Sequence, residues 1–420
     1  MTPPPRPVSN GPMQHANRSV TRAEWRRGWP VVLGALIGIG AGPGLFQNLS
    51  SLFIPGLVAE FGWTRGEIAT ASGLGILGSL VAPLLGRIAD RVGVRPVIAG
   101  CMLLLGGAYL GLAHMTGDIW QYHLLVLCLA ATVSGTSSVV YGRLIAGMFH
   151  LHRGLALGIA TSGLPLTTLL LPPALVAVIA GHGWRGGFVA LAIFATLVAL
   201  PVALLAIRHA DAAPTRHDRD GMAEGATARA ARRDARFWRL ALTGFCVNLA
   251  TIGFVTQLVP FGVDHGLSAG DAALLLVSFG ASQIVARLTV GALVDRGSPQ
   301  RIAATVSALS AAGFALLQTG QPGFALLVAA VFLAGLMNGA ENDLLPFFTA
   351  RLFGLRAYGE IYGTLIVIAL AGTATGVVGF GRLHDATGGD AVALGIAAAA
   401  LVTAALLFLS LTDRAPPAAH

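Results

Sequence analysis

Long apolar runs separated by short polar turns dominate the chain. Against the ~20 residues needed to cross a bilayer core, twelve runs begin near residues 29, 67, 96, 121, 154, 186, 237, 271, 300, 323, 358 and 390. Each is helical in length, so the pattern predicts an all-α membrane protein. The hydropathy collapses once inside the chain, in "RHADAAPTRHDRDGMAEGATARAARRDAR". The organisation expected is a disordered cytoplasmic tail over 1–28, six helices over 29–207, a cytoplasmic linker over 208–236, six helices over 237–412, and a tail over 413–420. The Pro-rich start has arginines but no apolar core or small-residue cleavage site before Trp29, which makes the first helix an uncleaved insertion signal.

Composition supports this placement. Hydrophobic residues make up 55 % and charged residues 11 %, against roughly 25 % charged in soluble domains. All 27 basic residues are Arg, which excludes a Schiff-base lysine or lysine counter-ion. The net charge of +8 would suggest nucleic acid in a soluble protein. Here the arginines sort by side instead: only Arg65, Arg185 and Arg382 fall outside if the N-terminus is inside. The expected location is the inner (plasma) membrane, multi-pass, with both termini cytoplasmic. Cys101, Cys128 and Cys246 lie in separate apolar segments without ligand spacing, so no disulfide framework or metal site is expected. No nucleotide-binding loop or other cofactor motif is present, so energy must come from gradients.

A shift of 205 residues superposes Gly86 on Gly291, Asp90 on Asp295, Arg91 on Arg296, Gly154 on Gly359, Gly158 on Gly363 and Gly183 on Gly388. The halves therefore read as parallel repeats: two six-helix bundles about a pseudo-two-fold axis along the membrane normal, with a cavity between them that opens by rocking. The repeated element is "GRIADRVGVRP" in the first half and "GALVDRGSPQR" in the second. Its residues Gly86, Asp90, Arg91, Gly93, Arg95, Gly291, Asp295 and Arg296 suit a gating latch, in which glycine allows close helix approach and a carboxylate engages a helix N-terminus or an Arg across the interface. Ordinary positive-inside anchoring is the plainer alternative.

The repeat separates scaffold from cargo, since residues serving the substrate need no counterpart. Arg287 aligns with Ala82, and Glu341 and Asp343 align with Thr136 and Ser138. Eight residues before Asp295, Arg287 lies ~12 Å deep, where an intramembrane charge costs at least ~2.5 to 3.5 kcal/mol. Either it snorkels toward water or Asp295, or it faces a cavity and pairs with an anion, for which its planar fork suits a carboxylate. Glu341 and Asp343 stand ~200° apart on their helix; Asn338, Glu341, Asn342 and Leu345 share a stripe, and Pro346, which has no N–H for the Asn342 carbonyl, is expected to break the helix. A deep carboxylate suits a symported proton, although both could equally satisfy backbone and interface arginines. Arg143 reads as snorkelling. Gln283, Tyr141, Asn48, Gln47, Thr161 and Tyr362 are cavity-lining candidates, each of which could equally bond a neighbouring helix. None of the 11 His falls mid-membrane, so a histidine relay is not expected.

"GRIADRVGVRP" resembles the signature loop of the major facilitator superfamily. "EFGWTRGEI" (60–68), "RGLALGIATSG" (153–163), "GWR" (183–185), and "ARLTVG" (286–291) are similar to its branch of monocarboxylate transporters and oxalate-formate antiporters. The resemblance covers residues 29–412 and implies the major facilitator fold, no enzyme activity, and Arg287 as the carboxylate-binding Arg of the eighth helix. Two departures matter. Animal monocarboxylate transporters carry an Asp where Gln283 stands, and the antiporter uses a Lys that this chain lacks, which favours a monoanion over a dianion. The function expected is secondary active transport of a small organic monocarboxylate by proton symport and alternating access. The partners would be that anion, protons and the bilayer, with no nucleic acid or nucleotide. The rivals are proton-coupled export of amphipathic or cationic compounds, and a transporter-like membrane sensor.

Overall fold

Lipid offers no partners for backbone N–H and C=O groups, so apolar runs of this length must satisfy them internally as helices. In the structure, a computed structural model, the residues described are 11–78, 88, 91–136, 141, 144–145, 148–149, 153–207, 225–294, 297–319, 323–354 and 356–411. The first half of the chain forms α1 (Gly11–Gly40), α2 (Pro43–Leu49), α3 (Ile54–Phe61), α4 (Arg65–Gly78), α5 (Val94–Ala113), α6 (Ile119–Ala131), α7 (Arg153–Thr161), α8 (Gly163–Ile193) and α9 (Leu200–Ile207). The second half forms α10 (Ala228–Arg233), α11 (Ala235–Val255), α12 (Leu258–Asp264), α13 (Ala269–Val294), α14 (Pro299–Leu316), α15 (Phe324–Phe353), α16 (Tyr358–Thr387) and α17 (Ala391–Leu409). Among the described residues there is no strand, only an isolated bridge between Gly225 and Gly354.

Seven helices among these are long and apolar enough to cross a membrane, or eight if the bent pair Glu24–Gly40 and Pro43–Leu52 is one span. One of the seven is the 52-residue run Leu155–Ala206. At 1.5 Å per residue it extends ~78 Å, more than twice a ~30 Å bilayer core. It breaks at Gly183, whose φ of 69° and ψ of 177° lie outside the helical region. Gly388, its partner in the repeat, also has positive φ, 70°, and closes α16. Positive φ is open to glycine at no steric cost; the two glycines share it but differ in ψ, 177° at Gly183 and 18° at Gly388, so one breaks a helix and the other caps one.

Two helix starts differ from the hydropathy pattern. α1 begins at Gly11, before the apolar run at Trp29, and the linker ends in α10. Hydropathy is blind to the capping that sets the second of these starts. At α10 the Thr227 side chain accepts from the Ala230 amide at 3.2 Å, an N-cap that fixes where the helix begins. Ala226 N donates to Phe353 O at 2.8 Å, and Arg232 pairs with Glu360 at 2.5 Å, fastening the linker's end to α15 and α16.

In the first half, α1 packs on α7, α8 and α9, α5 on α6 and α8, and α4 on α6; in the second, α11 packs on α15, α16 and α17, α13 on α15, and α14 between α15 and α17. Small residues set these distances. A Cβ on Gly376 would lie 2.2 Å from Leu249 O, and one on Gly372 would lie 2.3 Å from Phe245 O, so α11 and α16 touch backbone to backbone. Phe53 stacks on Phe188 at 4.0 Å in one half, while Phe254 gathers Phe261, Phe314 and Phe380 in the other.

Two seams join the halves: α4 against α16 and α8 against α13. Both run antiparallel. Along the first, Gly66 lies against Arg382 and Asp385, Ala69 against Gly381, and Gly73 against Val378. Along the second, Gly280 lies against Thr168 and Leu169, and seven residues further along α13 the side chain of Arg287 reaches Thr161.

Candidate functional site

The second seam carries the only deep cation that the sequence places in the second half. Arg287 is half-buried on α13, and its Nη1 donates to Thr161 Oγ1 at 3.1 Å, across to the first half. The Thr161 hydroxyl is oriented for this, because it donates to Leu157 O at 3.0 Å and leaves its lone pairs for the guanidinium. Arg287 Nε is buried without a hydrogen-bond partner. A buried donor on a charged group is costly to leave unmade, and an acceptor such as a carboxylate oxygen would remove that cost.

Asp343 of α15 supplies the opposing charge. It is exposed and lies within electrostatic reach of Arg287, but no direct ion pair joins the two among the described contacts. Tyr362 of α16, stacked on Tyr358 with ring centroids 5.6 Å apart, feels both Asp343 and Glu341. Thus Arg287 and Thr161 join α13 to α7 by a direct bond, with Asp343 of α15 within electrostatic reach of Arg287.

Glu341 faces the other way, as the ~200° separation requires. It is buried, and its Oε1 accepts from Asn248 Nδ2 at 2.6 Å. The Asn248 amide has only one consistent orientation: its nitrogen also donates to Gly244 O at 2.9 Å, and its oxygen accepts from Thr373 Oγ1 at 3.3 Å. One turn away, Asn338 Nδ2 donates to Thr251 Oγ1 at 3.1 Å. Two polar rungs, Asn248 to Glu341 and Thr251 to Asn338, therefore tie α11 to α15 with matched three-residue spacing.

Of the other sequence candidates, Asn48 is buried and donates to Thr168 Oγ1 at 3.0 Å, within the first half. Gln47 is half-buried. Tyr141 is fully buried with its hydroxyl unpartnered, close against Gly38. Gln283 is buried one turn from Arg287, its Nε2 without a partner and its backbone pressed against Gly339. Arg91 and Gly93 are exposed before α5, and Gly93 takes φ of 89°; Arg95 is half-buried. Gly86, Asp90, Asp295, Arg296 and Arg143 lie outside the described residues.

One detail of the sequence reading is corrected: Pro346 does not break α15, which runs from Phe324 to Phe353; one missing donor is tolerated where neighbouring helices hold the segment. On the stripe of Asn338, Glu341, Asn342 and Leu345, Asn342 is exposed and its amide donates to Asn338 O at 3.0 Å. Among the described residues nothing lies within 4 Å of where a Gly291 Cβ would stand. The partners Asn248, Thr251 and Thr373 were not foreseen, because a neutral polar residue in an apolar helix carries no mark of what it bonds.

At the end of the first seam a second polar group joins the halves. The Arg65 guanidinium grips Asp264 with both nitrogens, at 2.8 and 2.9 Å, and the Gly66 amide donates to Asp385 Oδ2 at 2.8 Å. His384 Nδ1 lies 3.5 Å from Arg65 Nη1 and 2.9 Å from Asp390 Oδ1. Asp264, His384 and Asp390 bring ligand-type atoms within 4.8 Å of one another, but Arg65 already occupies that grouping as its cation. Nearby, the motif residues of "EFGWTRGEI" and "GWR" meet: Glu60 accepts from Trp184 Nε1 at 2.8 Å and Arg185 Nη1 at 2.6 Å. These bonds, Arg185's foremost, hold the Glu60 carboxyl below its ordinary range.

A membrane protein, helical throughout its described residues, whose halves meet at a half-buried Arg on one seam and a charged cluster on the other has the build of a solute carrier. The chain belongs to the Major Facilitator Superfamily, whose pattern matches residues 35–364, and it is a secondary transporter, not an enzyme. It is 27% identical over 416 residues to mouse monocarboxylate transporter 11, covering 93% of this chain and 88% of the relative. It is 24% identical over 395 residues to rat monocarboxylate transporter 4, covering 91% and 82%. Among solved structures it is similar to a bacterial homologue of the human lysosomal transporter Spinster in an inward-facing, unoccupied conformation, with a TM-score of 0.69 at 16% identity, covering 94% of this chain and 99% of the other. It is also similar to the nucleoside transporter NupG, with a TM-score of 0.71 at 15% identity, covering 90% and 99%. At these identities the structures establish the fold alone.

Proposed function

We propose that the chain crosses the inner membrane twelve times in two six-helix bundles, with both termini cytoplasmic, and moves a small organic monocarboxylate together with a proton by alternating access. The observation that carries this reading is the placement of Arg287: a guanidinium on the seam between halves, touching Thr161, with Nε open and no carboxylate in direct contact. A substrate carboxylate completes that shell with two charge-assisted hydrogen bonds, and a site built on both halves changes shape when they rock. The names of the mouse and rat relatives support the substrate class.

Glu341 and Asp343 are the proposed proton carriers. Asp343 balances Arg287 between cycles, and Glu341 sits in a hydrogen-bonded network that spans α11, α15 and α16. Asp90 and Asp295, with their flanking arginines, are proposed to latch the cytoplasmic face. A second reading has one favouring observation: Asp343 is exposed rather than paired, as an exporter of cations would need.

The test is uptake into proteoliposomes of a panel of labelled aliphatic, hydroxy and aromatic acids, with and without an imposed pH gradient, beside a panel of amphipathic cations. Saturable accumulation of an acid driven by the gradient supports the first reading. Accumulation of cations alone supports the second, and binding without accumulation supports a sensor.

A further inference from the structure

We infer that the cluster around His384 is a proton-sensitive lock on the outer gate, which holds the halves together at neutral external pH and releases them in acid. The inference uses the orientation proposed above, which puts the start of α4 and the end of α16 on the outer side. It does not depend on the identity of the substrate.

The lock joins the halves at charged groups. Arg65, the first residue of α4, comes from the first half; Asp264 at the end of α12, Asp385 and His384 on α16, and Asp390 before α17 come from the second. The side chains of Arg65, His384 and Asp390 are 16%, 19% and 7% exposed, and that of Asp264 is 38% exposed. Arg382 on α16 lies against Gly66, Glu67 on α4 is engaged by the Thr64 amide at 2.8 Å, His123 on α6 reaches Glu67 O at 3.1 Å, and His265, next to Asp264, reaches Phe261 O at 2.8 Å. Behind the lock, among the described residues, the seam is held by small and apolar contacts, Ala69 on Gly381 and Gly73 on Val378.

Charge arithmetic gives the direction. A carboxylate oxygen 2.9 Å from His384 Nδ1 places a proton on that nitrogen, so Nδ1 donates to Asp390. With Nε2 bare the imidazole is neutral, and Arg65 of the first half faces the carboxylates Asp264, Asp385 and Asp390 together with the cation Arg382 of the second, a net of two negative charges. A second proton, on Nε2, creates a cation whose ring already lies 3.5 Å from the Arg65 guanidinium. It repels Arg65 directly and competes for Asp264 and Asp390 from within their own half, so the net negative charge opposing Arg65 falls from two to one. Histidine is the side chain whose unperturbed charge changes between pH 5 and 8.

The repeat shows that this device is not part of the common scaffold. Shifted by 205 residues, Arg65 falls on Gly270, Asp264 on Ala59, His384 on Ile179 and Asp385 on Ala180. The residues of the lock therefore have no charged or imidazole counterparts at these four repeat positions. In a proton-driven importer such a lock opens the binding cavity outward when external protons are plentiful.

The experiment is a pulsed electron-spin distance measurement on the full chain, reconstituted, with Cys101, Cys128 and Cys246 replaced by Ser and nitroxides at His114→Cys and Thr387→Cys, two exposed positions on opposite halves. The parent should show one short distance at about pH 7.5 and a growing long-distance population at about pH 5.5. His384→Gln should stay short at both, His384→Arg should be long at both, and Asp264→Asn should be long already at neutral pH. The same pH response in His384→Gln as in the parent would overturn the inference. So would a parent that does not respond, whether or not Asp264→Asn opens the gate. Because no substrate is present, failure of the anion reading leaves these outcomes unchanged.

Discussion

Glu341 owes its position to an amide. Asn248 can only donate toward it, since its nitrogen is also bound by the Gly244 carbonyl and its oxygen by the Thr373 hydroxyl. If Glu341 carries the coupled proton, Glu341→Gln keeps a hydrogen-bonding partner for Asn248 and loses the proton. Accumulation driven by a pH gradient should then vanish while exchange of substrate between the two sides persists, which counterflow in proteoliposomes measures. Unchanged accumulation in both Glu341→Gln and Asp343→Asn moves the proton elsewhere. Thr161→Val tests the crossing contact, and it should lower apparent affinity by roughly ten- to a hundred-fold without affecting insertion, as loss of one hydrogen bond to a charged group costs about 1.5 to 3 kcal/mol. The three charged members of this site were legible in the sequence, because a charge at depth without a counterpart in the repeat stands out. Asn248 and Thr373 were not, because their role is fixed by which carbonyl and hydroxyl the fold brings to them.

At the scale of the helix, glycine decides how closely elements pack. A Gly376→Val substitution puts a branched side chain against the Leu249 backbone, which cannot move aside as a flexible side chain would. Overpacking of this kind costs about 1–3 kcal/mol, to be read as a lowered melting temperature in detergent, whereas Gly291→Ala, with nothing within 4 Å, should leave it unchanged. The Glu60 tie between α3 and α8 gives a pH-dependent test. Its carboxyl is held below the ordinary range by Arg185 and Trp184, so the stabilisation is present above the unfolded pKa of ~4.3 and is lost as pH falls through the lower folded value. Glu60→Gln should therefore melt below the parent at neutral pH, the gap closing under strong acid. Hydropathy located most helices to within a turn or two, and the 205-residue repeat paired Gly183 with Gly388, although not the positive φ that both take. It missed the start of α1 at Gly11 and the continuity of α15 through Pro346. Those depend on backbone bonding that a polarity profile does not contain.

Across the whole molecule, the two seams place polar groups of one half against those of the other at two levels, Arg65 with the acidic cluster and Arg287 with Thr161. Rocking the halves must break the first and remodel the second, so on the proposed reading a proton gradient and a substrate act on one equilibrium. The claim that everything else rests on is that Arg287 is there for an anion. The most direct measurement is concentration-dependent uptake of a transported monocarboxylate by the parent, Arg287→Lys and Arg287→Gln in matched proteoliposomes. Losing one partner of a buried charge pair costs about 2 to 5 kcal/mol, so Arg287→Gln should weaken apparent affinity by at least ~30-fold or abolish saturation, with Arg287→Lys intermediate because it keeps the charge and loses the fork. Saturable anion transport by Arg287→Gln at the parent's affinity would contradict the account and shift the substrate site to Glu341 and Asp343.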